Sequence, residues 1–301
     1  MSQAKVTVVI VNYNGEEFVL NAIRSAAHQF ERCYIVIVDN ASSDQSVLSL
    51  RRLTGVQLIE NPVNVGFGAA ANLAARQVRT EYIAFLNSDA VARRNWLSEI
   101  VPWMDSARID FGSSVVQSNS LNWFAGGRWR PALGAALLLS HYKGQRTDWL
   151  SGCALIAKTG SFQALGGFDE GFFLYYEDVD LSLRAGAAGY RLGLHPCPLV
   201  NHDVSGRSAQ ELGFRKQEIA YESKGRLIAK HISPSLQPLA LAFQATAGPL
   251  SNGVAPFFLP RVGRSLMRGY MHFKSESRGA VRHAEAASYE KDRSQQETCR
   301  R

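Results

Sequence analysis

The chain has 301 residues, 46% of them hydrophobic, and 33 Lys and Arg against 26 Asp and Glu, a net charge of +7. That is enough apolar material for a substantial core, as one large domain with an appendage or as two domains. Four cysteines (Cys33, Cys153, Cys197 and Cys299) without a C-x-x-C pair argue against a disulfide framework and for a reducing compartment.

The start, "MSQAKVTVVIVNYNG", has too short an apolar run to read as a signal peptide. "VTVVIVNY" (6–13) is a β-branched run closed by turn residues, which predicts a buried parallel strand. Residues 16–29 carry apolar positions at helical spacing, with acids in the first turn. A second buried strand follows from residue 33, leading into the polar turn "DNASSD", then a short helix at "SVLSLRRL" and a third strand at 56–61. "GFGAAANLAARQV" (66–78) opens on glycines and continues as an Ala-rich helix, and "EYIAFLNSDA" (81–90) is a fourth strand. Strands alternating with helices imply an α/β layer with a mainly parallel sheet, in which ligands bind beyond the carboxyl ends of the strands. Asn12, Asp39, Asn61, Asn87 and Asp89 all fall at such ends.

From 111 to 147 the pattern loosens, and a long loop with one short helix is expected. "WLSGCALIAK" (149–158) restores a strand, "TGSFQALGG" is a short helix with a Gly-Gly stop, "EDVDLSLRAGAAGY" a helix, and "RLGLHPCPLVNHD" a last strand ending at His202. Residues 209–231 read as a charged amphipathic helix. Ile232 to Pro260 contains no charged residue and no His, and its five prolines rule out a single spanning helix. Residues 1–200 hold 17 basic and 17 acidic residues, whereas 201–301 hold 16 against 9, so the whole excess lies in the last third. An uncharged stretch followed by Arg261, Arg264, Arg268 and Lys274 suits helices lying on a membrane interface, or helices packed on the core. From Ser275 the composition is that of a polar, disordered tail.

Three stretches carry chemistry. "LNSDA" sets Asn87 and Asp89 two apart at a strand end, where one carboxylate can serve a divalent cation and an amide can meet a sugar hydroxyl. In "VDNASSD", Asp39 leaves a buried strand in a position to accept from a base or a ribose. "FLYYEDVDLSLR" crowds Glu177, Asp178 and Asp180 behind aromatic residues, either as a solvated helix start or as a general base with its neighbour. Asp180 is expected to pair with Arg184 at i,i+4.

In order and spacing, "VVIVNYNG", "VDNASSD", "NVGFGAAAN", "FLNSDA", "WLSGCALIAK", "FDEGFFLYYEDVDLSLRAGAAGY" and "NHDVSGRS" resemble family 2 inverting glycosyltransferases, in the rhamnosyltransferase-like and galactofuranosyltransferase-like branch. The resemblance covers residues 5 to about 208. It implies a GT-A fold over 1–208; the remainder matches no motif of the family, and its composition alone gives a helical extension at 209–274 and a polar tail at 275–301. The resemblance also implies a nucleotide-sugar donor (a dTDP- or UDP-sugar) and Mg2+ or Mn2+. Asn12 and Tyr13 would line the nucleoside pocket, Asp39 would hold the base, and Asn72 would lie near the nucleotide. Asp89 matches the last acid of the family's D-x-D motif, Asn87 standing where that motif has its first. Asp178 maps to the general base beside Glu177. His202, 24 residues on, matches a metal-ligating histidine.

The expected function is transfer of one sugar, rhamnose or similar, with inversion onto a lipid-linked or glycan acceptor in cell-surface polysaccharide synthesis. The expected place is the cytoplasmic membrane face, peripherally bound, with no nucleic-acid partner. The Q-x-x-R-W motif of processive synthases is absent, so one or a few transfers per acceptor are expected. Two alternatives differ in class. A nucleotidyltransferase would show a Gly-rich phosphate loop bearing Lys or Arg near the start, and "VNYNGEEF" has no basic residue. A non-catalytic nucleotide-sugar-binding module would be expected to lose Asp89 or Asp178, and both are present.

Overall fold

The computed structural model describes residues 4–118, 123–124, 126–139, 147–202, 213–246 and 259–277. The β-branched run forms β1 (Val6–Asn12), buried along its whole length because parallel neighbours flank it on both sides. Those neighbours are β2 (Cys33–Asp39) and β4 (Tyr82–Leu86), and β3 (Gln57–Glu60) adds to β2 in the same sense. Three helices run between them: α1 (Glu16–Ala27), α2 (Ser46–Leu50) and α3 (Phe67–Ala75). The parallel layer expected from the first ninety residues is therefore present.

The sheet then becomes mixed. In space its order is β3-β2-β1-β4-β10-β6-β11-β5, with β7 (Trp123–Phe124) on β6. β10 (Ala154–Lys158) lies antiparallel between β4 and β6 (Phe111–Ser118), while β11 (Leu192–His202) runs parallel to β6 and antiparallel to β5 (Ala90–Ala92). α4 (Trp96–Ala107), α5 (Thr159–Ala164) and α6 (Glu177–Ala187) complete the cover. One apolar cluster takes Ile10, Ile37, Tyr82 and Trp96; a second takes Val9, Phe85, Phe162 and Phe168.

The expectation of a loop over 111–147 is corrected. β6 is a central strand, and β8 (Gly127–Arg130) and β9 (Ala135–Leu138) form a hairpin-like pair around a 3-10 turn at Pro131–Leu133. Small residues misled the sequence reading. Gly112, Ser113 and Ser114 look like turn material, yet both serines are buried and Ser113 Oγ donates to the Ala154 carbonyl at 3.1 Å. A Cβ on Gly112 would stand 2.8 Å from Met104 Sδ of α4, so only a strand this lean fits beneath that helix. Residues 119–122, 125 and 140–146 of that stretch lie outside the described residues.

The chain divides into two units, Met1–Arg130 with Ala135–Ala220, and Pro131–Gly134 with Tyr221–Arg301. α7 (Gly213–His231) runs through the division. Within the second unit, α7 and the helix over 259–277, here α9, touch backbone to backbone. A Cβ on Gly225 would lie 1.9 Å from the Leu266 carbonyl oxygen, and one on Gly269 would lie 1.8 Å from that of Glu222. α8 (Gln237–Ala245) adds a polar interior. Lys224 Nζ donates to Gln244 Oε1 at 2.9 Å, and Tyr270 OH donates to Gln237 Oε1 at 2.8 Å. Residues 275–277 continue α9, and the rest of the expected tail lies outside the described residues. Among the described residues no helix is long and apolar enough to cross a membrane.

Candidate active site

The carboxyl ends of β1 and β2 meet. Asn12 lies opposite Asp39 in the β1–β2 register. Its Nδ2 donates to Asp39 Oδ1 at 2.8 Å and to Ser46 Oγ at 2.9 Å, while Asp39 Oδ2 accepts from the Ser42 amide at 3.0 Å. Both side chains are at most 2% exposed, so as placed they fasten the 40–46 loop to the strand ends. Three non-glycine residues there, Asn14, Glu16 and Ala41, take positive φ, a strain that persists only where surrounding bonds impose it. Tyr13 is different, 39% exposed and facing open space.

Asn72 is 5% exposed and ties α3 to the segment before the acid helix. Its Nδ2 donates to the Phe168 carbonyl at 2.9 Å and to Glu170 Oε1 at 3.0 Å, and its Oδ1 accepts from the Phe168 amide. At the start of α3 the Phe67 amide donates to the Phe173 carbonyl at 3.0 Å. Gly66, with φ +86°, brings its Cα so close that a Cβ would meet that carbonyl oxygen at 2.3 Å. The segment 168–173 is thereby locked against α3.

On the other side of β1, the β4–β5 turn presents Asn87 and Asp89. Ala90 pairs in register with His202, and His202 Nε2 lies 3.0 Å from Asp89 Oδ1. Burial works against a charge on His202, but Cys153 and the bond to Asp89 push its pKa up to about 10. Tyr13, Asn87, Asp89 and His202 line one cleft of about 560 Å³, together with Asn40, Phe173 and Tyr175. Asn12, Asp39 and Asn72 are not among its lining residues.

The acids of α6 follow Tyr175 in the chain and are not themselves among the residues that line the cleft. Tyr175 and Tyr176 both adopt left-handed φ, 67° and 68°, a costly conformation for aromatic residues, and it turns the chain sharply into Glu177. Glu177 is 7% exposed and its Oε2 has no partner; burial and the adjacent Asp178 push its pKa up to about 8. Asp178 is also raised by burial, against the pull of two amides: Gly152 N–H donates to Oδ2 at 2.8 Å and Val179 N–H to Oδ1 at 2.7 Å. Asp180 is fully buried and pairs with Arg184, whose Nε donates to Oδ2 at 2.7 Å, as the i,i+4 spacing predicts. Arg184 then donates to the Leu165 and Gly167 carbonyls, so this acid anchors the helix. Tyr175 connects the two ends of the site: burial, Glu177 and Asp89 together push its hydroxyl up to about 12.

Residues 7–162 match the profile of the family described as Glycosyl transferase family 2. The chain belongs to that family. It is 25% identical over 254 residues to the rhamnosyltransferase WbbL of Escherichia coli K12, spanning 74% of this chain and 95% of that protein. It is 26% identical over 236 residues to the N-acetylglucosaminyl-diphospho-decaprenol L-rhamnosyltransferase of Mycobacterium tuberculosis, 65% of this chain and 75% of that one. The mannosyltransferase PcManGT of Pyrobaculum calidifontis, solved with GDP-Man and Mn2+, superposes with a TM-score of 0.57 at 18% identity, covering 90% of this chain and 87% of its own. The fold is thus GT-A, as the motifs implied, and the protein is a glycosyltransferase resembling rhamnosyltransferases.

Sequence reasoning missed three features of this glycosyltransferase site. Asn40 uses its whole amide: Nδ2 donates to Asn64 Oδ1 and the Gly66 carbonyl, and Oδ1 accepts from Asn61 Nδ2 and the Val65 amide. The recurrence of Asn at 40, 61 and 64 was the available signal. The turn Ser151–Cys153, read only as the start of a strand, is a junction. Gly152 N–H holds Asp178, the Cys153 carbonyl accepts from the Asn87 amide, and a Cβ on Gly152 would come within 3.2 Å of Asp178 Cβ. Finally, the first turns of α7 bring Arg215 and Lys216 to the cleft, with Lys216 Nζ 5.7 Å from the centre of the Tyr175 ring. Nothing in their local sequence marks them.

Proposed function

We propose that this glycosyltransferase moves one sugar, with inversion, from a nucleoside diphosphate (dTDP-rhamnose or a UDP-hexose) onto a lipid-linked or glycan acceptor in cell-surface polysaccharide synthesis. The observation that carries this reading is the Asp89–His202 pair, 3.0 Å apart on the wall of a cleft that also holds Tyr13 and Tyr175. A carboxylate and a histidine paired on one cleft wall fit a hard or borderline divalent cation, which would take the place of the proton that His202 holds beside Asp89, and the archaeal mannosyltransferase structure contains Mn2+. Asp89 and His202 would hold Mg2+ or Mn2+, which when bound would supply positive charge against the leaving diphosphate.

The chain's own groups do the rest. Tyr13 and Asn87 contact the nucleotide and the sugar, with Asn12, Asp39 and Asn72 positioning the loops around them. Arg215 and Lys216 add positive charge to the same cleft. Asp178 takes the proton from the acceptor hydroxyl as that oxygen attacks the anomeric carbon. Glu177, pushed up to about 8, keeps its proton at neutral pH and leaves the negative charge to Asp178. The mycobacterial relative is an L-rhamnosyltransferase for N-acetylglucosaminyl-diphospho-decaprenol, which supports a lipid-linked acceptor here. A peripheral place at a membrane is supported by the exposed face of α9, where Met267 and Met271 (43% and 57% exposed) stand among Arg264 and Arg268.

A panel of nucleotide sugars, each with and without divalent cation, tests the reading. The true donor raises the unfolding temperature only with metal; a ligand at a hundred times its Kd adds about 2.7 kcal/mol. The product's anomeric configuration, read by NMR, is opposite to the donor's. Stabilisation by no nucleotide sugar, or retained configuration, sinks it.

A further inference from the structure

One cluster of donor atoms has no place in sugar transfer. It joins Glu99 of α4 to His195 and Cys197 of β11, seven and five residues before His202 and on the order of 20 Å from it along the strand. There the register of β11 against β6 shifts between His195 and Pro198. α4 packs over this irregularity, and the rings of Trp103 and His195 meet edge to face with centroids 5.3 Å apart. A ligand atom from each of Glu99, His195 and Cys197 lies within 4.8 Å of the other two, and no other trio of this kind converges among the described residues.

The surroundings favour a cation over mere packing. His195 is buried while Cys197 is an exposed free thiol, so the cluster opens to solvent on one side. The Cys197 amide donates to His195 Nδ1 at 3.3 Å. That places the ring's lone pair on the side where the Cys197 backbone and thiol lie, and the bond is long enough to be exchanged for a stronger ligand. Glu99 Oε1 accepts a hydrogen bond from Asn95 Nδ2 one turn earlier, the kind of outer support that orients a metal-ligating carboxylate.

We propose that Glu99, His195 and Cys197 form a binding site for a borderline-soft divalent cation, Zn2+ by donor chemistry, separate from the Asp89–His202 pair. Thiolate, imidazole and carboxylate together are a zinc set, with the fourth tetrahedral position left to water on the exposed side. Mg2+ and Mn2+ favour oxygen-rich sites, so the two places would sort cations by ligand softness. A cation here would clasp α4 to β11, the strand that delivers His202 to the cleft. The inference does not depend on which sugar is transferred.

The test uses the full chain in excess Mg2+, titrated with Zn2+ for affinity and with Co2+ for the absorption of a cobalt–thiolate bond. The wild type should show that absorption. Cys197→Ser, at an exposed position, should abolish it and weaken Zn2+ binding by at least about tenfold. Glu99→Gln should weaken Zn2+ binding while leaving the cobalt–thiolate absorption. Sugar transfer with Mg2+ should be unchanged in Cys197→Ser, which separates this site from the catalytic reading. The proposal falls if the wild type shows no thiolate absorption, if Cys197→Ser retains it (the thiol then being Cys153 beside His202), or if Zn2+ affinity changes by less than about twofold.

Discussion

Replacing Glu177 by Gln should make the protein more stable at neutral and mildly alkaline pH, and less so or not at all in mild acid. The carboxyl is 7% exposed, its Oε2 has no partner, and its pKa is about 8 against an ordinary 4.5. Between those two values the folded protein keeps a proton that the unfolded chain releases, so wild-type stability falls as pH rises through the window and the loss is complete above about 8. Each pH unit in the window costs about 1.4 kcal/mol, which puts the penalty at pH 7 on the order of 3 kcal/mol as an upper bound. Gln cannot ionise and escapes it. Its amide adds a buried NH2 without a ready partner, a pH-independent cost of about 1–3 kcal/mol, so the two proteins should cross in stability rather than run parallel. Urea unfolding of both proteins between about pH 5 and pH 8 measures this. If the difference between them is the same across that range, Glu177 is ionised in the folded protein and the division of labour with Asp178 is wrong.

Asp178→Asn keeps the size but only one of the two backbone hydrogen bonds, because its NH2 cannot accept from the Gly152 or Val179 amide, and it cannot take a proton, so transfer should drop about 10²–10⁴-fold with donor affinity retained; a wild-type rate would show that another group is the base. Asp89→Ala should abolish metal-dependent donor binding and His202→Ala should weaken it and shift the preferred cation, both read by calorimetry; full activity of Asp89→Ala in EDTA would refute the cation's role. Met267→Ser with Met271→Ser should reduce sedimentation with anionic liposomes, and added salt should weaken the wild-type binding because surface charge is screened; unchanged sedimentation of the variant would mean that α9 does not hold the membrane.

The strands and helices of the first ninety residues were legible because each carries its own period. A β-branched run bounded by turn residues has few other uses, and Asn12, Asp39, Asn87 and Asp89 announce themselves by sitting where such runs end. The Asp180–Arg184 pair was legible too, since i,i+4 partners share a helix face whatever surrounds them. β6 was not. Its Gly112, Ser113 and Ser114 have small side chains because Met104 and the Ala154 backbone lie against them, and residues chosen for a neighbour's shape carry no period of their own. The residue pattern by itself determined an α/β layer with acids at strand ends and at one helix start; the glycosyltransferase activity came from the likeness of its motifs to a family, which the family match bears out. The tertiary structure decided which of those residues face the cleft, because that depends on packing between segments far apart in the chain. Asn12, Asp39 and Asn72 turned inward to bind the protein itself, Gly152 was recruited to hold Asp178, and Arg215 and Lys216 came to the cleft from a helix with no motif.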